Sequence, residues 1–230
     1  MTSRAPLAAR SDEGISLIEA VVALTVLIII AVVAASLAVN ALRTATTEDR
    51  AQTAISVATL QMEMVRGKDV SIDDTGVSAL FGGRTKSDVL ALRAANADVA
   101  AVSDTTYPEW DPTATASSAD TVPATGSMLL NGTTFDWSIL LGSCYIETGS
   151  TAELNGLCGV VPSISVGSVT AADADDIADA VPAQLPGYTK LMRAIVVVRW
   201  EDADRCPAGG CEYSVTSLFE ANRDLKWRAG

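Results

Sequence analysis

Glu19 is the only charged residue between Ile15 and Val39, and its setting is the first clue to the chemistry the chain could support. A charged side chain at the centre of a bilayer costs roughly 2.5–3.5 kcal/mol, so an acid in an apolar span calls for a partner. A free amine at the same depth would serve. A cut after Gly14 would make Ile15 the N-terminus and place its ammonium about one helical turn from Glu19, on the same chain or on a neighbour. Without that cut, Glu19 reads as a residue at the membrane interface, where charge is cheap. The second reactive set is Cys144, Cys158, Cys206 and Cys211, all beyond the apolar span. An even count in an exported segment favours disulfides, and four cysteines allow three connectivities. The sequence-local pairing, Cys144–Cys158 and Cys206–Cys211, is the expectation, because Cys206-Pro-Ala-Gly-Gly-Cys211 reads as a clipped tight turn. A four-cysteine zinc site is the rival, and these spacings lack its closely spaced cysteine pairs.

Nothing else in the composition favours catalysis. The 230 residues include no histidine, which removes the commonest general base and the commonest metal ligand. The sequence offers no nucleophile with a base, no metal cluster and no phosphate-binding glycine loop, so neither an enzyme activity nor a cofactor is expected. The formal net charge of -12 opposes nucleic acid through general electrostatics. Candidates for a basic strip that could reverse this are Lys190, Arg193, Arg199, Lys226, Trp227 and Arg228.

These residues need elements to hold them. From Ile15 to Arg66 there is neither proline nor glycine, so the segment reads as one helix of about 78 Å at 1.5 Å per residue. Its first half, residues 15–39, is apolar all round. At about 25 residues it is long enough to cross a bilayer of about 30 Å, and longer than the apolar core of about 7–15 residues in a secretory signal. A plain signal anchor and a cleaved secretory signal are the competing readings. Residues 1–14 form a polar leader, and Arg4 and Arg10 favour its lying on the cytoplasmic side. Residues 40–67 turn amphipathic, with Ala51, Ile55, Ala58, Met62 and Val65 on a core-facing stripe and Gly67 as the stop. Residues 68–127 read as a helix and loop region. A short helix runs from Ser87 to Ala95 with Ser87 as its cap, and the Thr/Ala/Ser/Asp/Pro-rich stretch 104–127 is a loop tacked down by Tyr107 and Trp110. Residues 128–230 read as a β-rich, disulfide-containing domain. Asn131-Gly132 marks a hairpin turn. Phe135, Trp137, Ile139 and Leu141 alternate on one face, as do Met192, Ala194, Val196, Val198 and Trp200, with Arg193 and Arg199 opposite. Tyr213, Val215 and Phe219 alternate in the last strand. The fold class is α+β: a long N-terminal helix, membrane-spanning in its first half, packed on a C-terminal antiparallel sheet of about four strands.

Gly14-Ile15-Ser16-Leu17-Ile18-Glu19, with the polar leader before it and the apolar run after it, resembles the N-terminal signal of type IV prepilins and secretion pseudopilins. The resemblance covers only this N-terminal part. It implies a pilin-like fold and cleavage by a prepilin peptidase between Gly14 and Ile15. It also implies N-methylation at Ile15, although the first mature residue of the family is usually Phe or Met. Glu19 takes the place of the family's fifth mature residue, which acts in filament assembly. The wording is more similar to minor pilins and minor pseudopilins than to major pilins. The implied partners are the prepilin peptidase, other pilin or pseudopilin subunits and an inner-membrane assembly platform. The implied location is the inner membrane with the C-terminal domain outside the cytoplasm, then a surface or periplasmic filament. Calcium binding in some pseudopilins draws attention to Asp173, Asp175, Asp176 and Asp179. Their spacing is not that of a calcium loop, and Thr170 with Asp173 resembles a helix capping box, so a solvated helix is the expectation there. The expected function is a structural subunit that primes or modulates filament assembly. The alternatives are a filament-tip adhesin or DNA-uptake subunit and a signal-anchored surface protein.

Overall fold

The computed structural model describes residues 17–68, 78–99, 105–147, 158, 188–202, 205–206 and 210–219. The chain divides into two compact units, Met1–Glu48 and Asp49–Gly230.

Helix α1 runs without a break from Leu17 to Arg66, as a segment free of helix breakers should. In the first unit every side chain from Leu17 to Thr46 is exposed. The few hydroxyls there bond back onto the helix: Thr25 donates to the Val21 carbonyl at 2.6 Å and Ser36 to that of Val33 at 2.8 Å. In the second unit the last turns of α1 become a core element. Ala54, Val57, Ala58, Gln61, Met62 and Val65 are buried. At about 100° per residue these six cover an arc of about 140°, and Ile55 falls just beyond its edge, 43% exposed. The stripe expected through Ile55 is therefore rotated toward Ala54 and Gln61. Gly67 ends the helix without entering the left-handed region, and its N–H still bonds the Glu63 carbonyl at 2.9 Å.

A 3₁₀ turn, Ala79–Phe81, leads to helix α2, Lys86–Ala95. Its cap is Thr85, not Ser87. The Thr85 hydroxyl accepts from the Asp88 N–H at 3.2 Å and donates to the Asp88 carboxylate at 2.6 Å, so the residue three positions ahead of Asp88 wins the cap.

The sheet is antiparallel and five-stranded: β1 Tyr107–Pro108, β2 Thr125–Leu130, β3 Thr133–Glu147, β4 Tyr188–Trp200 and β5 Cys211–Phe219. The order is β1-β3-β4-β5, with β2 also paired to β3. Strand β3 is long enough to take β2 along Thr133–Ser138 and β1 at Gly142 and Ser143, while β4 pairs it from Phe135 to Glu147. Asn131 and Gly132, at φ 50° and 78°, make the two-residue turn between β2 and β3, both in the left-handed region that a type I′ hairpin requires. The stretch expected as loop thus contributes β1 and the start of β2. Tyr107 is a strand residue, buried, with its ring edge-on to Tyr145 at 5.7 Å. Gly142 admits β1, because a Cβ there would lie 2.2 Å from the Tyr107 carbonyl oxygen.

Both faces of the sheet are covered. Phe135, Ile139 and Leu141 of β3 and Met192, Ala194, Val196, Val198 and Trp200 of β4 pack against the buried face of α1. On the other side Leu140, Ile195 and Val197 meet Val99 and Leu92. The alternations expected for β3 and β4 are the ones that form.

Candidate functional site

The candidate site is the exposed half of α1. Ala20 to Leu42 carries no charge and spans about 34 Å at 1.5 Å per residue, enough for a hydrocarbon layer of about 30 Å. It is the one helix among the described residues long and apolar enough to cross a membrane. Leu24, Leu27, Ile30 and Leu37 are each at least 60% exposed, so within its own unit this apolar surface is left open. A helix suits such a surface because its backbone groups satisfy one another, and the back-bonded hydroxyls of Thr25 and Ser36 extend that economy to the side chains. Glu19 lies in the first turn of α1, where the positive end of the helix dipole favours an acid. Gly14 and Ile15 lie outside the described residues.

The cysteines form two disulfides, Cys144–Cys158 and Cys206–Cys211, with Cα separations of 5.3 and 5.2 Å. The first ties Cys158 to β3. The second closes the connection between β4 and β5, where the Cys206 N–H also bonds the Asp202 carbonyl at 2.8 Å. Asp202 is buried and faces Arg50 of α1 at 3.3 Å.

The basic candidates on β4 are used internally. Arg193 is buried and donates to the Cys158 carbonyl at 2.6 Å, to the Thr106 hydroxyl at 3.0 Å and to Thr105. Burial holds its pKa below the usual guanidinium range. Arg199 donates to Glu212, Asn96 and Asp98, and Lys190 pairs with Glu109. Lys226, Trp227 and Arg228 lie outside the described residues, as do Asp173, Asp175, Asp176 and Asp179. Among the described residues no group of three or more Asp, Glu or Cys side chains could hold a metal ion.

One important residue was not singled out from the sequence. Arg84 is 2% exposed, and its guanidinium donates to the carbonyls of Ile139 at 2.7 Å, Val122 at 3.1 Å and Pro123 at 3.3 Å. Burial lowers its pKa to about 10, with Asp120 pulling the other way. It fastens the 122–123 segment to β3. Nearby, Asp111 caps the turn after β1, and the Thr113 hydroxyl and the Gly83 N–H keep its carboxyl below the usual range. No periodicity marks a lone buried arginine, so no signal in the sequence could have found Arg84.

No protein-family model, no curated protein and no solved structure matches the chain.

Proposed function

We propose that the chain is a structural subunit of a type IV pilus-like filament: a helix that is first a membrane anchor and then a filament core strand, carrying a disulfide-bonded sheet domain. Within that class its role is that of a minor pilin or pseudopilin that primes or modulates assembly after a prepilin peptidase cuts between Gly14 and Ile15. The observation that carries the reading is helix α1. Apart from the Glu19 carboxylate in its first turn, its first half is uncharged and exposed, and its last turns belong to a folded core. A helix that only anchored the protein would tolerate Glu19 at the membrane boundary without requiring it. A helix that must move from lipid into a bundle of like helices needs one polar contact to set register, and an acid with a newly made amine supplies it.

The DNA-uptake alternative loses support, because Arg193 is buried and Arg199 and Lys190 are ion-paired within the domain. The test of the leading reading is the intact mass of the protein taken from its native membrane. A chain that begins at Ile15 and is heavier by one methyl group is the expected result. A chain that retains Met1, or that begins near Asn40, would overturn it.

A further inference from the structure

The two disulfides differ in how closely a reagent can approach them. Cys144 and Cys158 are 0% and 1% exposed, and the buried Arg193 donates to the Cys158 carbonyl at 2.6 Å. Cys206 is only partly buried. It lines a groove of about 890 Å³ whose walls also include Thr133, Thr134, Trp200 and Gly210, at the end of the sheet where β4 leaves and β5 begins. A volume of that order suits a small molecule. The partner, Cys211, is 4% exposed and belongs to the core cluster that contains the buried face of α1. One end of this disulfide therefore borders an open groove and the other lies in the core, whereas both ends of Cys144–Cys158 are sealed.

Thiol–disulfide exchange requires a thiolate to reach a disulfide sulfur. We propose that Cys206 is a site of exchange with a low-molecular-weight thiol admitted by the groove, and that Cys144–Cys158 is not. The thiolate attacks the Cys206 sulfur to form a mixed disulfide, and the Cys211 thiolate leaves and takes up a proton. A second molecule of the thiol attacks the sulfur of the first and frees Cys206 as a thiolate, which is protonated in turn. The small molecule ends as its own disulfide and the protein as a dithiol, a two-electron reduction. The consequence falls on α1. The connection that this disulfide closes positions Asp202: the Arg205 and Cys206 N–H groups both bond its carbonyl, at 3.3 and 2.8 Å, and its buried carboxylate lies 3.3 Å from Arg50. Arg50 stands one turn before Ala54, and Ala51 and Cys206 pack on the cluster that contains Ala54. Reduction releases one end of the turn that holds Asp202, and so loosens α1 where it enters the core. The exchange needs neither the peptidase nor a filament.

The test is reduction of the full, folded chain in detergent by excess reduced glutathione, with free thiols trapped by a maleimide at intervals and assigned by mass spectrometry. Trypsin separates the two pairs, since Cys206 and Cys211 fall in residues 206–223 and Cys144 and Cys158 in residues 94–190. Cys206 and Cys211 should be trapped about tenfold faster or more, because access controls the attack, with glutathione on Cys206 as the transient adduct. In denaturant the two pairs should converge. Equal rates in the folded chain, faster trapping of Cys144 and Cys158, no reduction before unfolding, or an adduct on Cys211 alone would each overturn the proposal. Amide exchange across residues 50–58 should rise in the reduced chain and in Cys206→Ser/Cys211→Ser, while the β2–β3 hairpin keeps its protection. Unchanged exchange at residues 50–58 in the reduced chain, or loss of hairpin protection along with it, would overturn the link to α1. Failure here leaves the mass test of Ile15 untouched, and failure there leaves this exchange untouched.

Discussion

Replacing Glu19 with alanine separates what the membrane needs from what the filament needs. The uncharged stretch Ala20–Leu42 has its midpoint at Ala31, and Glu19 lies twelve residues away, about 18 Å along the helix axis. Half of a hydrocarbon layer is about 15 Å. In the bilayer, then, Glu19 sits at the water boundary, where its charge needs no partner and its removal changes little. The demand for a partner arises only when the helix leaves lipid for a dry bundle. On the proposed function, the α-ammonium of Ile15, four residues or about 6 Å along a helix from Glu19, would be buried there with it. Removing one member of a buried ion pair leaves the other uncompensated, at about 3–5 kcal/mol. At 1.4 kcal/mol per tenfold that is a loss of about a hundredfold to a few thousandfold in incorporation. Glu19→Ala should therefore insert and be cleaved normally, yet be depleted from sheared filaments by that factor against its level in membranes. Glu19→Gln, which keeps an acceptor and loses the charge, should fall between. Quantifying both fractions by immunoblot reads the effect. A processed Ala variant within about threefold of wild type, which is under about 0.7 kcal/mol, would refute the pairing.

Three further outcomes follow from the sheet domain. Arg84→Met strips hydrogen bonds from the Ile139, Val122 and Pro123 carbonyls and should cost about 2–4 kcal/mol in denaturant unfolding; Arg84→Lys, lacking the planar fork, should recover only part of it. Gly142→Ala puts a Cβ 2.2 Å from the Tyr107 carbonyl oxygen, so β1 must detach, and amide exchange at Tyr107 and Ser143 should rise while β3–β4 protection persists. Burial raises the Tyr145 pKa above its ordinary 10, with Glu109 and Tyr107 adding to the effect. The folded state then keeps a proton that the unfolded chain releases, so this contribution is complete below about pH 10 and is lost above it. Tyr145→Phe should flatten the alkaline fall in stability, and an unchanged slope would count against the assignment.

The features legible in the sequence were those in which local chemistry and tertiary demand agree. Asn131-Gly132 announces its turn because few other pairs tolerate two left-handed residues. Strand β4 alternates cleanly because both of its faces are buried while Arg193 and Arg199 mark one side. The misses lie where size or chemistry misleads. Ile55 is larger than Ala54 and drew the helix stripe toward itself. The sheet instead takes the small side, where Ala54 and Ala58 are both fully buried. Thr85, Lys86 and Ser87 offer two hydroxyl caps in three residues, and only the position of Asp88 decides between them. Strand β1 is two residues long, too short for any period, and depends on a glycine 35 positions away that makes room for it. The exposed half of α1 was legible for the opposite reason: an uncharged, breaker-free run has few soluble uses.

In the proposed filament, that run would leave one carboxylate to choose the alignment of neighbouring helices. Lipid and a bundle of like helices are similarly apolar, so moving Ala20–Leu42 from one to the other gains little hydrophobic free energy and selects no register by itself. The hydroxyls of Thr25 and Ser36 are already bonded to their own helix, so they offer neighbours little reason to choose one alignment. With no proline or glycine from Ile15 to Arg66, a built-in kink cannot choose it either. Side-chain packing distinguishes alignments only weakly, in increments of one turn. A charge pair distinguishes them sharply, because sliding by a single turn of about 5.4 Å leaves two buried ions alone. On the proposed function, register specificity in a helix so uniform would fall to its single ionic position, and creating the counter-charge only after cleavage would tie assembly to processing.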